Sequence, residues 1–217
     1  METPTRINTT FEMPVYLDAT LAGLTALLPL PLVDWWLEDR FRNRMPEQIA
    51  QHHGRKLSPE VRRIVNSGGR SWLGSGIMFV LKLPFRLILK LSRKIFYIFA
   101  IKEATDKVSY YWQRAFLLDH MIQAGHLDTP RSAEPAQQAL EQALKGTRAP
   151  LTALAGEVAQ RVWELRPFQR RSSEEELRTA AVGQRDFMAG RWAAYESFLV
   201  DLAGRYNRSF EELRRTA

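Results

Sequence analysis

The sequence predicts an all-α protein: a helical bundle with one long basic amphipathic helix. Apolar residues recur at helical spacing along most of the 217 residues, which is the period of an amphipathic helix. No alternating apolar run bounded by hairpin-turn residues indicates a strand. Apolar residues make up 45% and charged residues 25% of the chain, so a folded domain with a proper core is expected rather than disorder.

The first half of the chain carries the start and stop signals of three helices. The first helix is expected over 15–28, because the prolines that follow cannot continue it. The second is expected over 32–53, with a bend or junction at Pro46 and a terminating glycine at Gly54. A serine N-cap followed by proline then opens a short helix over 58–66.

The next predicted helix is the longest: it starts near residue 71 and continues to a terminating glycine at Gly125. Pro84 is expected to kink this helix near its start. Capping-box sequences at 173–176 and 209–212 open a helix to residue 206 and a short terminal helix. The other predicted elements are a loop over 126–134, helices over 135–145 and 150–165, and a basic linker over 166–172.

At the level of domains, residues 1–11 are predicted to be a polar tail and residues 12–217 a single helical domain. Residues 71–102 are its expected membrane-interaction or partner-docking helix. No secretory signal and no lipidation motif is recognised at the termini, so neither a leader nor a lipid anchor is expected.

The positive charge of the chain is concentrated in one stretch. The whole chain carries a formal net charge of +7. Between Arg55 and Lys102 the only acid is Glu60, so this stretch carries +10 and the remainder −3. A positively charged surface favours anionic partners such as nucleic acid or an anionic membrane. The eleven cations of the stretch are Arg55, Lys56, Arg62, Arg63, Arg70, Lys82, Arg86, Lys90, Arg93, Lys94 and Lys102.

Residues 71–102 combine this charge with a wide apolar face. At about 100° per residue, five of the cations fall within an arc of about 120°, and ten large apolar residues between Ile77 and Phe99 fall elsewhere. Such a helix can lie in a membrane interface, with its apolar side in the acyl region and its cations toward anionic head groups. The expected head-group contacts are Lys82, Arg86, Lys90, Arg93 and Lys94. The expected inserting side chains are Phe79, Phe85, Ile88, Ile95, Phe96 and Phe99.

These features predict a non-enzymatic peripheral membrane protein. It is expected in the cytoplasm, at the inner (plasma) membrane, binding anionic phospholipid or scaffolding a membrane-protein partner. A transmembrane span is not expected, because the longest uncharged stretch here, 71–81, is shorter than the ~20 residues that cross a bilayer.

Three alternatives remain open. A soluble interaction module or homo-oligomer would bury the apolar face of 77–101 against a protein. Nucleic-acid binding would use the same cations, although their neighbours are leucine, isoleucine and phenylalanine rather than residues that reach phosphates and base edges. An enzyme with a helical active site is the third alternative, but no residue pattern names its chemistry.

No cofactor, metal or catalytic site is predicted. The chain has no cysteine, which excludes disulfides and thiolate ligands. Its histidines have no metal-ligand spacing and are expected at helix ends, solvated or hydrogen-bonded. Asp34 and Glu38 are one helical turn apart but lack further ligands, so a capping or buried Asp34 is expected. The four histidines are His52, His53, His120 and His126.

Several aromatic residues are candidates for the head-group level of a membrane, where amphipathic rings are favoured. For any one of them, packing in the core is the ordinary alternative. Trp163 and Trp192 are assigned to the core. The interfacial candidates are Trp35, Trp36, Trp72, Tyr97, Tyr110, Tyr111 and Trp112.

The first third of the chain contains a recognisable order of residues. Gly23 and the Pro29-Leu-Pro31 turn precede Asp34, and Met45, Ile49-Ala50, Gly54 and Leu57-Ser58 follow. This order resembles the N-terminal part of the EcsC-like and YcjF-like helical proteins of bacteria, and the segment 139–154 resembles a later helix pair of that group. The resemblance implies a helical, membrane-associated protein and supplies no catalytic or ligand residue.

Overall fold

The computed structural model describes residues 7–28, 31–68, 93–145, 150–165 and 174–216, with the backbone alone at 31–34 and 93–96. The predicted all-α class is confirmed, since every regular element in these ranges is a helix. Short 3-10 turns follow α1 at Thr25–Leu27 and α8 at Ala193–Tyr195. In chain order the α-helices are α1 (Met13–Leu24), α2 (Pro31–His52), α3 (Pro59–Ser67), α4 (Arg93–Gln123), α5 (Pro130–Leu144), α6 (Thr152–Glu164), α7 (Glu174–Val182), α8 (Arg185–Trp192) and α9 (Glu196–Thr216).

Helix α1 lies at the centre of the bundle, packed between α2 and α4. Every residue from Val15 to Leu24 except Leu17 is buried, which is the pattern of a helix enclosed by others. Gly23 permits the close approach to α4, because a Cβ at this position would lie 2.5 Å from the Cα of Val108. A larger residue there would force the two helices apart.

Helices α2 and α4 run in the same direction. Glu38 in α2 contacts Lys107 and Tyr111 in α4, and further along both helices His53 contacts Asp119. The bundle therefore has one end where α2 and α4 begin and an opposite end where both finish.

The remaining helices complete these two ends. Helix α6 runs antiparallel to α4, since Trp163 near its end packs on Tyr97 near the start of α4, with ring centroids 5.4 Å apart. Helices α5 and α9 pack on each other. At the opposite end of the bundle, Phe210 of α9 stacks on His126 at 3.9 Å.

Two ion pairs connect the central helices: Glu38 and Lys107 are both buried, whereas Asp18 is buried and its partner Arg44 is partly exposed. Arg44 donates to both oxygens of Asp18 at 2.8 and 2.6 Å. Glu38 accepts from Lys107 Nζ at 2.8 Å and from the hydroxyl of Tyr111 at 2.7 Å. Burial raises the pKa of Tyr111, so its phenol stays protonated and able to donate. Pairing of this kind is what allows charged groups to stay inside a helical core.

Several predicted helix signals are confirmed. Gly54 ends α2 with φ of 65°, the left-handed conformation that glycine adopts without strain. Ser58 caps α3 by accepting from the backbone N–H of Val61 at 3.2 Å. The predicted long helix is observed as α4 from Arg93 onward and ends before Gly125. Its expected start near residue 71 and the kink at Pro84 lie outside the described residues.

Other boundaries were predicted wrongly. Helix α2 continues through Pro46 rather than ending at a junction there, and the buried residues on both sides of the proline, Met45 and Ile49, hold the helix against the core. The helix predicted from residue 173 to 206 is interrupted near Gly183, a residue of low helix propensity. The terminal helix predicted at 209–212 is part of α9, which continues and buries Phe210.

The predicted loop over 126–134 is too long, because α5 begins at Pro130. The signal that was missed is the N-cap: Thr129 accepts from the backbone N–H of Ser132 at 3.3 Å. Pro130 takes the first helical position, where a missing N–H has no cost.

The N-terminal segment contacts the core in its described part. Phe11 stacks on Tyr16 with ring centroids 5.2 Å apart, and Trp192 Nε1 donates to the backbone carbonyl of Thr9 at 3.1 Å. Residues 7–11 therefore lie against the bundle, within the stretch for which the sequence predicts a polar tail.

Candidate functional site

Large apolar side chains are exposed at the end of the bundle where α2 and α4 begin. Two of them are tryptophans of α2, two lie in α4, and one follows the end of α6. We call these five residues the apolar end. They are Trp35 and Trp36, 53% and 55% exposed, Ile98 and Phe99, 55% and 65% exposed, and Leu165, 59% exposed.

The topology explains why these residues share one end. Helices α2 and α4 run in parallel, so their first turns lie on the same side of the Glu38–Lys107 contact. Helix α6 is antiparallel to α4 and finishes beside the start of α4. Single exposed apolar residues are ordinary, but several at one end of a molecule are typical of an interaction surface.

Most of the predicted lipid-binding residues lie outside the described side chains. Phe99 is described, and it is the most exposed of the large apolar residues in the described chain. Arg93, Lys94, Ile95 and Phe96 form the first turn of α4, where the backbone alone is described. The predicted residues that lie outside the described ranges altogether are Phe79, Lys82, Phe85, Arg86, Ile88 and Lys90.

Among the aromatic candidates, two are exposed, two are buried, Tyr97 and Tyr110 are partly buried, and Trp72 lies outside the described residues. Trp35 and Trp36 are exposed, as an interfacial role requires. Tyr111 and Trp112 are fully buried, so their assignment as interfacial candidates was wrong. Trp112 instead donates to Thr20 at 2.9 Å. The assignment of Trp192 to the core is confirmed.

Two residues of the apolar end were not selected from the sequence. Ile98 lies in the predicted apolar arc of the amphipathic helix but was not named among the inserting residues. Leu165 carries no signal of its own in the sequence. Its only indication is its position directly before the basic linker over 166–172.

The opposite end of the bundle gathers all four histidines of the chain, and we call these four residues the histidine end. His52 Nε2 lies 2.5 Å from Glu12, and His53 Nε2 lies 2.5 Å from Asp119. Each of the other two contacts α9: His120 at Asn207 and His126 at Tyr206, both at 2.8 Å. The prediction of hydrogen-bonded histidines at helix ends is confirmed.

Burial controls protonation at the histidine end. It lowers the pKa of His126 to about 4, with the neighbouring His120 acting in the same direction. Burial also lowers the pKa of His120, against the opposing hydrogen bond with Asn207. It raises the pKa of Asp119, while the contact with His53 opposes that rise. His126 is therefore neutral at pH 7.

The helix termini at the histidine end are closed by hydrogen bonds. The N–H of Arg55 bonds the carbonyl of Ala50, and the N–H of His126 bonds the carbonyl of Met121. Each of these contacts spans a glycine with positive φ, as in the Schellman motif. The guanidinium of Arg55 also donates to the carbonyl of Ile122 at 2.6 Å.

Other kinds of site have less support. In the part of the chain that the structure describes, no helix has the length and apolarity needed to cross a bilayer. In the same ranges no three His, Cys, Asp or Glu residues are placed to hold a metal. A cleft of about 330 Å³ between α5 and α9 offers cations and hydroxyls but no acid–base pair, since its lining is Thr129, Arg131, Ser132, Pro135, Phe210 and Arg214.

Comparison with known proteins gave no match to a protein-family model, to a curated protein or to a solved structure. The two ends of the bundle differ in exposure and polarity, and a function is proposed from this difference.

Proposed function

We propose that this protein is a peripheral membrane protein that binds anionic membrane surfaces through its apolar end and the basic segment 71–102. The observation that supports the proposal most is that the basic segment and the exposed apolar residues meet at one end of the bundle. The segment that holds the positive charge runs into α4 at the same end of the bundle where Ile98 and Phe99 are exposed.

Charge supports a membrane more than a protein groove as the partner. Residues 71–102 contain six cations and no acid, whereas an ordinary solvated surface mixes both signs. Each basic residue near an anionic leaflet contributes about 1 kcal/mol. Five such contacts give about 5 kcal/mol, short of the ~8 kcal/mol that corresponds to micromolar affinity.

Apolar insertion supplies the remaining free energy in this proposal. Burial of a phenylalanine or isoleucine side chain is worth about 1.5–3 kcal/mol. Ile98 and Phe99 are more than half exposed in the structure, so most of this gain is available to them on binding. Charge and insertion together reach an affinity that neither provides alone, which is the two-signal logic of peripheral anchoring.

The proposal is tested by co-sedimentation with vesicles of phosphatidylglycerol and phosphatidylcholine, compared with phosphatidylcholine alone. The protein is expected to pellet with the anionic vesicles, and less so at high salt, which screens the head-group contacts. The triple variant Lys82→Glu, Arg86→Glu, Lys90→Glu removes three of these contacts. At about 1 kcal/mol each, its affinity falls by about 100-fold or more.

A matched variant controls for the change in net charge. Arg131→Glu, Arg208→Glu and Arg215→Glu reverse three exposed cations on α5 and α9, away from the apolar end. This control is expected to lose less than about threefold, because its sites lie away from the bound surface. Equal losses in both triple variants would show that overall charge, not segment 71–102, attracts the vesicles. Absence of binding under every condition, together with self-association, would replace the proposal by a protein interface.

A further inference from the structure

Helix α2 carries the adjacent residues Trp35 and Trp36, which lie outside the basic segment. They differ in exposure from the other tryptophans that the structure describes. Trp112 and Trp192 are buried, and Trp163 packs on Tyr97. Trp35 and Trp36 are more than half exposed although they are adjacent in a regular helix.

The packing of α2 keeps this pair out of the core. Leu37, Glu38 and Phe41 are buried and fix which face of the helix points inward. Glu38 is held by the contacts to Lys107 and Tyr111. Rotation of α2 to bury the indoles would break these contacts, so the rings stay at the surface.

The indoles lie at a defined level relative to Phe99. A helix rises about 1.5 Å per residue, so Trp36 lies about 3 Å before Glu38 along α2, and Phe99 lies about 12 Å before Lys107 along α4. Since Glu38 and Lys107 are in contact, the indoles and Phe99 are separated by about 8–9 Å along the bundle.

This separation matches the layers of a membrane surface. Interfacial segments insert their apolar side chains about 5–10 Å below the head groups. Tryptophan prefers the head-group level, where its ring is partly buried and its N–H meets polar partners. The guanidinium of Arg40 lies 5.4 Å from the ring of Trp36 and pairs with Glu174 at 3.2 Å, so polar groups lie beside this ring.

We propose that Trp35 and Trp36 form a second membrane contact, at head-group depth, which orients the bundle with the histidine end away from an anionic phospholipid bilayer. This inference rests on the proposed function and extends it. The basic segment supplies the attraction to the surface, and the indole pair sets the tilt. A single attached segment would leave the bundle free to rotate, whereas two contacts on separate helices fix its orientation.

The absence of cysteine makes the test direct, because an engineered cysteine is a unique labelling position. Trp36→Cys carrying an environment-sensitive nitrobenzoxadiazole label is mixed with vesicles of phosphatidylglycerol and phosphatidylcholine. Its emission is expected to rise severalfold and shift to the blue on binding. Val200→Cys, at an exposed apolar residue of α9, is the matched control and is expected to change little.

A second variant tests the contribution to affinity. Trp35→Ser with Trp36→Ser is expected to weaken vesicle binding by about tenfold and to lower the melting temperature only slightly, since both residues are more than half exposed. Vesicle binding without a change at residue 36 would overturn this inference and leave the proposed function standing. Failure of every variant to pellet with vesicles would overturn the proposed function itself. If the emission of the label at residue 36 changes with protein concentration in the absence of vesicles, the surface binds a second copy of the chain instead.

Discussion

The two ends of the bundle are built from the same helices, but one end is closed by polar contacts and the other exposes large apolar side chains. At the histidine end, polar contacts close the termini of α2 and α4: His53 meets Asp119, and Arg55 donates to the carbonyl of Ile122. At the apolar end, Trp36 and Phe99 have more than half of their surface exposed. The histidine end is closed by contacts within the fold, and the exposure of the apolar end is what the proposed membrane binding draws on.

Loss of the buried contact of Glu38 with Lys107 and Tyr111 should have the largest effect on stability. Glu38→Ala leaves the buried ammonium of Lys107 and the hydroxyl of Tyr111 without this acceptor. Loss of one partner of a buried ion pair costs about 3 kcal/mol or more, so the melting temperature should fall by roughly 6–12 °C. The control is Glu103→Ala, which removes an exposed carboxylate 3.0 Å from the same lysine and should cost less than about 1 kcal/mol. Equal losses would show that the buried contact is not the critical one.

Substitutions at the two ends should differ in their effect on the free energy of unfolding, measured in urea. Asp119→Ala removes the partner of His53 and of Gln123 and should cost about 2 kcal/mol. Phe99→Ser at the apolar end should stay within about 0.5 kcal/mol, as an exposed site does. A loss at Phe99 as large as that at Asp119 would mean that the apolar end is packed, and would remove the contrast between the ends.

Acid should weaken the histidine end specifically. The pKa of His126 is lowered from 6.5 to about 4 in the folded protein, so folding favours its neutral form. The contribution of His126 to the free energy of unfolding is fully present above pH 6.5 and is lost as the pH falls from 6.5 toward 4. Allowing for solvent screening of this half-buried ring, the loss is on the order of 1–2 kcal/mol.

The measurement is the melting temperature between pH 7 and pH 4.5 for the natural chain and for His126→Gln. The variant should show the smaller fall. Part of the dependence should persist, because burial also lowers the pKa of His120. An identical pH profile in both proteins would contradict the assignment of His126 as a titrating group of this end.

The glycine that ends α2 should show the smallest effect. Gly54→Ala introduces no crowding but requires alanine at a φ of 65°, which costs about 1 kcal/mol. Gly190→Ala is the control, because it lies within α8 and also meets no neighbour. There alanine should stabilise the helix by about 0.5–1 kcal/mol. Both variants are compared by thermal denaturation. If Gly54→Ala and Gly190→Ala shift the melting temperature in the same direction, the role of Gly54 in ending α2 is contradicted.

The parts of this fold that the sequence predicted are those with local causes. Gly54 and Ser58 act on their own helix ends through the φ angle and the cap hydrogen bond, so their signals are legible in a few residues. The break near Gly183 and the continuity of α2 through Pro46 depend on what the neighbouring turns pack against. That information is tertiary and does not show in local spacing.

The candidate site divides in the same way. Phe99 was selected from helical periodicity, and its exposure agrees with that selection. Trp112 has the composition of an interfacial aromatic but donates to Thr20 inside the bundle, because α1 covers this face of α4. Glu38 gives no hint in the sequence of its partner Lys107, which lies on a distant part of the chain. Pairings across helices therefore had to come from the structure.

The most direct test of the account compares the depth of the two ends on a vesicle. Single nitroxide labels are placed at Phe99→Cys and, next to the ring that stacks on His126, at Glu211→Cys. The accessibility of each label to oxygen and to a water-soluble nickel complex is then measured by electron paramagnetic resonance with anionic vesicles. The label at 99 is expected to become oxygen-accessible and protected from nickel, while the label at 211 remains open to nickel. Equal nickel accessibility at both positions on bound protein would contradict the assignment of the apolar end to the membrane.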